Sequence, residues 1–198
     1  MGKEMWHDAC AFLPNKLMKI LYVTGKYLTF PGAYLKALWE HLFCRILHLP
    51  IERADYLLPD EGCGHVEHAF TRSRSKNILL CLLSASANIL FGLPLFLTGF
   101  AALIYFAETA EGNVWLFALH IAMLYLGASL LCNLAPLPED SLHLWETLYR
   151  NPNAKTNAAV KVLLFLPVLC LRVCAFLERC GLNIVLMLAF LLASLLWL

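Results

Sequence analysis

The segment Phe30–Leu49 carries three side chains of the types that bind zinc. His41, Cys44 and His48 are spaced i, i+3 and i+7, so an uninterrupted helix would align them along one face. Together with Asp140, they would suit a metal-dependent hydrolase. The alternative interpretation makes the two histidines hydrogen-bonded helix residues near an interface and makes Cys44 a packing residue. The residues alone leave both interpretations open.

A second group of zinc-binding types follows on the next stretch of chain and consists of Cys63, His65 and His68. The alternative is that these three belong to a short extended segment with no ligand. Other catalytic patterns are missing from the sequence, which has no Gly-x-Ser-x-Gly, no P-loop and no glycine-rich dinucleotide turn.

Lys36, Glu40 and Arg45 place three formal charges in the same apolar segment. A central Lys, Arg or Asp costs roughly 2.5–3.5 kcal/mol on insertion, whereas each large apolar residue returns about 0.3–0.6 kcal/mol. The segment would therefore not insert into a bilayer as an isolated helix. It must lie inside a helix bundle, line a wet cavity or lie at the interface. Lys36 and Glu40 are spaced i, i+4 and are therefore neighbours on a helix.

Two short motifs together resemble those of the site-2-type intramembrane zinc metalloproteases, particularly their small prokaryotic relatives. One is the start of FPGAYLKALWEHLFCRILHLPI, and the other is NLAPLPED, which resembles the family's N-x-x-P-x-P-x-x-D element but has one residue fewer between the second proline and the aspartate. The residues that carry the resemblance are Phe30, Pro31, Gly32, Asn133, Pro136, Pro138 and Asp140. Between the motifs, Gly64–His68 resembles a short G-x-V-x-H stretch of some relatives. The resemblance covers residues 30–146.

The resemblance implies a zinc site with Asp140 as the third ligand, but the other site residues differ. Aligned on Phe-Pro-Gly, the family's H-E-x-x-H falls on Lys36–Glu40, which reads KALWE. Lys36 and Glu40 replace the two zinc-binding histidines, and Ala37 replaces the general-base glutamate. A protonated lysine cannot bind zinc, and alanine cannot take a proton from water. The resemblance therefore implies a protease scaffold with a degenerate site.

We expect Lys36 to place its ammonium where the metal would lie, between Glu40 and Asp140, as a structural charge cluster. The leading hypothesis is a catalytically inactive protein that binds a partner or a transmembrane segment, with no cofactor. The second hypothesis is an active zinc hydrolase that uses His41, Cys44 or His48 with Asp140. The third is a small channel or transport component whose charged helix lines a water path.

The composition indicates that the elements around these residues lie in a lipid bilayer. The chain has 198 residues, of which 61% are hydrophobic and only 15% charged, and its mean hydropathy is +0.68. A soluble domain of this size would need a larger charged share to cover its surface. The net charge of +1 and the absence of a basic tract give no indication of nucleic-acid binding.

Four apolar runs predict transmembrane helices: Ile78–Ala107, Val114–Cys132, Ala158–Leu177 and Leu182–Leu198. Phe30–Leu49 is a fifth, charged candidate, and Met5–Leu21 predicts an interfacial helix. The predicted fold is an all-α integral membrane protein. It is a bundle of four or five transmembrane helices with an N-terminal interfacial helix and a short extended segment after the first core helix.

We predict a single membrane domain over residues 1–198. It comprises an interfacial segment 1–27, a metalloprotease-like core 30–146 and a C-terminal pair of transmembrane helices in 157–198. The flanking charges predict that the loops Glu108–Asn113 and Glu178–Gly181 lie on the same, outer side. The expected location is a prokaryotic cytoplasmic membrane, and the expected partners are the bilayer and a membrane-associated protein.

Overall fold

The computed structural model describes residues 15–56, 65–68, 74–109, 114–136, 138–150 and 158–196. These residues are mostly helical and include one two-stranded sheet. The predicted all-α fold class is therefore confirmed, whereas the number of membrane crossings is not. Cys63, from the second group of zinc-binding types, lies outside the described residues.

The first two helices are α1 (Asn15–Leu28) and α2 (Phe30–Ile46), separated only by Thr29. Proline in the first turn of α2 suits the helix start, because no N–H is needed there. Of the predicted helix Met5–Leu21, residues 5–14 lie outside the described residues, and α1 continues beyond its predicted end. Lys26 on α1 is only 5% exposed, so the segment predicted as interfacial ends inside the protein.

Helix α2 ends where a left-handed residue turns the chain. His48 has φ 51°, and the backbone N–H of Leu49 donates to the Cys44 carbonyl (2.8 Å). Strands β1 (Ile51–Asp55) and β2 (His65–His68) then pair in antiparallel register. This pair corresponds to the predicted extended segment after the first core helix.

Three helices are long and apolar enough to cross a membrane: α3 (Arg74–Thr109), α4 (Val114–Cys132) and α6 (Ala158–Arg179). Their positions match three of the four predicted runs. The fourth run forms α7 (Leu182–Leu196), whose 15 residues fall short of the roughly 20 that a crossing requires. A bundle of four or five crossings therefore stays a prediction.

Helices α3 and α4 pack against each other as an antiparallel pair. A Cβ on Gly127 of α4 would lie 2.7 Å from the Cα of Phe96 on α3, so the two backbones approach more closely than side chains normally allow. Asn88, inside α3, donates from Nδ2 to the backbone carbonyl of Asn133, just past the end of α4 (2.6 Å). Helix α4 therefore covers only the C-terminal part of the longer α3.

The N-terminal part of α3 is covered by a different pair of helices. A short helix α5 (Pro138–Trp145) continues into a π-helical turn (Glu146–Arg150) and packs against α6. Leu144, Leu148, Val168 and Cys81 form the centre of this contact. Helices α4 and α6 therefore pack along different parts of α3. The C-terminal end of α4 lies where these two parts meet.

The turn between helices α6 and α7 lies near the C-terminal end of α4. The two helices are joined by a two-residue turn in which Gly181 has φ +67°. The backbone N–H of Ala135 donates to Oε2 of Glu178 (3.3 Å), and Nδ2 of Asn183 donates to the Cys132 carbonyl. The turn therefore lies beside the C-terminal end of α4.

This position bears on the predicted topology. The sequence places the Glu178–Gly181 turn on the same side as Glu108–Asn113, which precedes α4. Helix α4 has 19 residues and is therefore about 28 Å long, with the end of α3 at one end and the Glu178–Gly181 turn at the other. The side of the membrane on which each loop lies stays a prediction.

Candidate functional site

Helix α2 brings Lys36 and Glu40 together on a buried face. Lys36 is 8% exposed and Glu40 is 9% exposed, and Ala37 between them is fully buried. The i, i+4 spacing places both polar groups on one side of the helix, as the sequence predicts. Of the three placements that the sequence leaves open for this segment, the burial of this face favours the inside of the helix bundle.

Two further charges from distant parts of the chain join them. Glu178 on α6 accepts a hydrogen bond through Oε1 from the ammonium of Lys26 on α1. The same oxygen lies 3.6 Å from Nζ of Lys36. Glu178 therefore lies between two ammonium groups, and its other oxygen accepts the Ala135 N–H. Both side chains of the Lys26–Glu178 pair are at least nine-tenths buried.

Asp140 completes the group at the start of α5. Its negative charge acts on Glu40, as do the charges of Lys36, Glu178 and Lys26. Glu40 lies outside the three candidate spans. Burial raises the pKa of its carboxyl, an effect that Lys36 opposes and that Asp140 and Glu178 reinforce. We call Lys26, Lys36, Glu40, Asp140 and Glu178 the charge cluster.

Asn133 ties the charge cluster to the junction between α1 and α2. Its Oδ1 accepts a hydrogen bond from the ammonium of Lys26 (2.8 Å). Its Nδ2 donates to Oγ1 of Thr29 (3.0 Å) and to the carbonyl of Ser129 (2.8 Å). Because Asn133 is only 1% exposed, these bonds satisfy an amide that burial would otherwise penalise.

The Phe-Pro-Gly motif holds α2 against α4. Gly32 donates its backbone N–H to Oγ of Ser129 (2.7 Å), and that hydroxyl donates to the Thr29 carbonyl (2.9 Å). Of the other motif residues, Phe30 is 40% exposed and Pro136 is buried. Each motif thus contacts a residue just outside the other: Gly32 bonds to Ser129, which precedes Asn133, and Asn133 bonds to Thr29, which precedes Phe30.

The helical face on which the alternative zinc site depends does not form. Helix α2 ends at Ile46, and His48 lies beyond it in a left-handed conformation. His41, Cys44 and His48 therefore do not share one helical face. The ring of His41 packs against Tyr56 with 5.8 Å between centroids, and Cys44 is fully buried in an apolar contact with α3 and the strands.

The charge cluster itself does not fit a zinc ion. Across the described ranges, no three His, Cys, Asp or Glu side chains converge as a metal site requires. Lys36 occupies the first position of the implied ligand set, and an ammonium has no lone pair for a metal. The lysines and carboxylates of the charge cluster can instead neutralise one another's charge and form hydrogen bonds.

Sequence reasoning missed two members of the charge cluster and several of its supports. Lys26 falls in the segment predicted as interfacial, and Glu178 falls in a predicted loop. Three polar residues that hydrogen-bond around the charge cluster could not be identified from any sequence pattern: Ser129, Asn88 and Thr29. A carboxylate directly after a long apolar run, as Glu178 follows Leu177, is the signal that could have indicated a buried partner.

Comparisons of the whole chain with protein-family models, with curated proteins and with solved structures gave no match.

Proposed function

We propose that this chain is a multi-pass membrane protein that binds a transmembrane partner through a scaffold similar to that of the site-2 metalloproteases, without cleaving that partner. The observation that carries the proposal is the burial of Lys36 and Glu40 on one face of α2, where the charge of Asp140 acts on Glu40. These are the three positions to which the resemblance assigns zinc ligands.

The side-chain chemistry at these positions supports binding over hydrolysis. A zinc hydrolase needs an open coordination position for water and a base that accepts the proton. Lys36 brings a positive charge without a coordination position, and Ala37 has no group that takes a proton. Without these two groups, the site can act on a partner only through its charges and hydrogen bonds.

The surroundings of the charge cluster support a role within the membrane. Three helices have the length and hydropathy of membrane spans, and large apolar residues lie exposed along them, among them Leu90, Leu97, Leu163 and Leu166. Ionisable groups inside a membrane protein are energetically unfavourable and generally mark a functional site. A transmembrane segment with a polar residue is the partner that such a site would recognise.

Metal analysis tests the loss of catalytic function. We expect the purified wild-type protein to contain no stoichiometric zinc. The triple variant Lys36→His, Ala37→Glu, Glu40→His rebuilds the ligand spacing on α2 opposite Asp140. We expect it to bind about one zinc ion per chain, because two imidazoles and a carboxylate then meet.

The matched control adds Asp140→Asn to the triple variant and should lose the bound zinc. About one zinc ion per wild-type chain, lost on mutation of His41 or Cys44, would contradict an inactive site and favour the zinc hydrolase. A triple variant that folds and binds no zinc would show that α2 and α5 do not present a metalloprotease-like geometry.

A further inference from the structure

The ammonium of Lys26 lies in a site that other elements build around it. Oε1 of Glu178 on α6 accepts a hydrogen bond from this ammonium, and Oδ1 of Asn133, just past the end of α4, accepts another (2.8 Å). Lys26 is 5% exposed, Glu178 is 9% exposed and Asn133 is 1% exposed. The two acceptors thus form a buried ammonium site, and α1 supplies the cation that occupies it.

The arrangement of acceptors suits a lysine better than an arginine. Oε2 of Glu178 accepts the backbone N–H of Ala135 (3.3 Å), so Oε1 is the oxygen that meets the cation. A guanidinium binds a carboxylate best through two parallel bonds to both oxygens, whereas an ammonium is a compact point charge. One carboxylate oxygen and one amide oxygen therefore match a primary ammonium.

Helix α1 is attached to the other helices along one side. A Cβ on Gly25 would overlap the end of the Ile184 side chain on α7, and a Cβ on Gly181 would lie 3.0 Å from that of Leu21. Large apolar residues on the opposite side of α1 are more than half exposed: Ile20, Tyr27 and Leu28. Lys26 therefore makes a buried polar contact for a helix whose other side is open.

Movement of α1 would leave the ammonium site itself in place. Thr29, between α1 and α2, has non-helical backbone angles (φ −104°, ψ 29°), and its hydroxyl is bonded to Asn133. Nζ of Lys36 lies 3.6 Å from Oε1 of Glu178, and Lys36 belongs to α2 rather than to α1. A rotation of α1 about Thr29 would therefore remove Lys26 and keep both acceptors and the neighbouring cation.

We propose that Glu178 and Asn133 bind a lysine ammonium of a transmembrane partner, and that Lys26 occupies this site as a tethered competitor. A lysine within a membrane span is energetically costly unless its charge is paired, so a partner with such a lysine gains a counterion from the site. The carboxylate of Glu178 then exchanges one ammonium for another. This inference rests on the proposed function and names the chemistry of the partner.

Binding of synthetic transmembrane peptides tests the proposal. The probes are helices of about 20 leucine and alanine residues whose central residue is lysine, norleucine or arginine. Energy transfer from the labelled peptide to the labelled protein in phosphatidylcholine vesicles measures their affinity. We expect the lysine peptide to bind most tightly, because norleucine lacks the charge and arginine needs two free carboxylate oxygens. Equal affinities of the three peptides would overturn the proposal.

Removal of the competitor should strengthen binding. We expect Lys26→Met to bind the lysine peptide about tenfold more tightly than the wild type, because the apparent affinity rises with the fraction of molecules whose site is free. The affinity for the norleucine peptide should not change. The control Lys161→Met removes a half-buried cation from the first turn of α6 and should leave both affinities unchanged. Unchanged binding of the lysine peptide by folded Lys26→Met would contradict the competition.

Hydrogen exchange detects the displacement in the wild-type protein and needs no substitution. Saturation with the lysine peptide should speed the exchange of the backbone amides of residues 20–28, because α1 leaves its contacts. The exchange of the amides of α4 should stay unchanged. A lysine peptide that binds without faster exchange in α1 would overturn the proposal.

Zinc binding separates this inference from the proposed function. If the triple variant of α2 binds zinc but the wild type does not distinguish the three peptides, the ammonium site is rejected and the metalloprotease-like scaffold is retained. If the wild type selects the lysine peptide but the triple variant binds no zinc, the scaffold is rejected and the ammonium site is retained.

Discussion

The variant Glu178→Ala is expected to lower the free energy of unfolding in detergent by about 3–5 kcal/mol, the range for breaking a buried ion pair from one side. The substitution removes the carboxylate that is paired with the Lys26 ammonium and that lies 3.6 Å from Nζ of Lys36. Both lysines are more than nine-tenths buried, so neither reaches water without local opening. The N–H of Ala135 also loses its acceptor.

A surface ion pair in the same chain provides the matched control. Glu146 pairs with Arg150 at 3.6 Å with an i, i+4 spacing, and both side chains are exposed. Glu146→Ala should change the free energy of unfolding by about 0–1 kcal/mol. Denaturant unfolding of both variants in one detergent makes the comparison.

A second variant separates the ion pair from general damage to the fold. Lys26→Met combined with Glu178→Ala should be more stable than Glu178→Ala alone, because the ammonium that loses its paired carboxylate is gone. Equal losses for Glu178→Ala and Glu146→Ala would show that the Lys26–Glu178 pair is not buried in the folded protein.

Hydropathy was sufficient to predict the long helices. The predicted run Val114–Cys132 has the same bounds as α4, and Ile78–Ala107 lies inside α3. These two runs contain no Asp, Glu, Lys or Arg, so their composition alone determines their environment. The turn residue Gly181, with its positive φ, also lies where a glycine after an apolar run predicts a helix end.

Hydropathy could not predict how these helices are placed relative to one another. The i, i+4 pair of Lys36 and Glu40 is a local feature and can be found from the sequence. The pair of Lys26 and Glu178 joins residues 152 positions apart, and no local pattern links them. Their contact depends on where α6 ends relative to α4, which tertiary packing determines.

The helical spacing behind the zinc alternative failed for a local reason. The i, i+3, i+7 spacing of His41, Cys44 and His48 assumes a helix that continues as far as His48. Helix α2 instead ends at Ile46 and turns through His48 into β1. Pro50 lies just beyond this turn, and proline disfavours a helical conformation in the residue before it. That proline indicates a nearby helix end, but it does not determine at which residue the helix stops.

The variant Gly32→Ala is expected to lower the free energy of unfolding by about 3 kcal/mol or more, the upper end of the range for overpacking. A Cβ at Gly32 would overlap the carbonyl of Ser129 and would lie 2.8 Å from the backbone N of Leu130. Backbone atoms of a packed helix cannot rotate away, so α2 and α4 must separate. Separation would break the bond from Gly32 N–H to Oγ of Ser129.

The matched control for Gly32→Ala is Gly25→Ala on α1. Its Cβ would meet the flexible end of the Ile184 side chain, which can change rotamer. Alanine also favours a helix over glycine by about 1 kcal/mol, so the two effects should nearly cancel. Thermal and denaturant unfolding of both variants in one detergent compares them. If Gly32→Ala were as stable as Gly25→Ala, α2 could not lie against the backbone of α4, and the charge cluster would lose the contact that places Lys36 and Glu40 opposite Glu178.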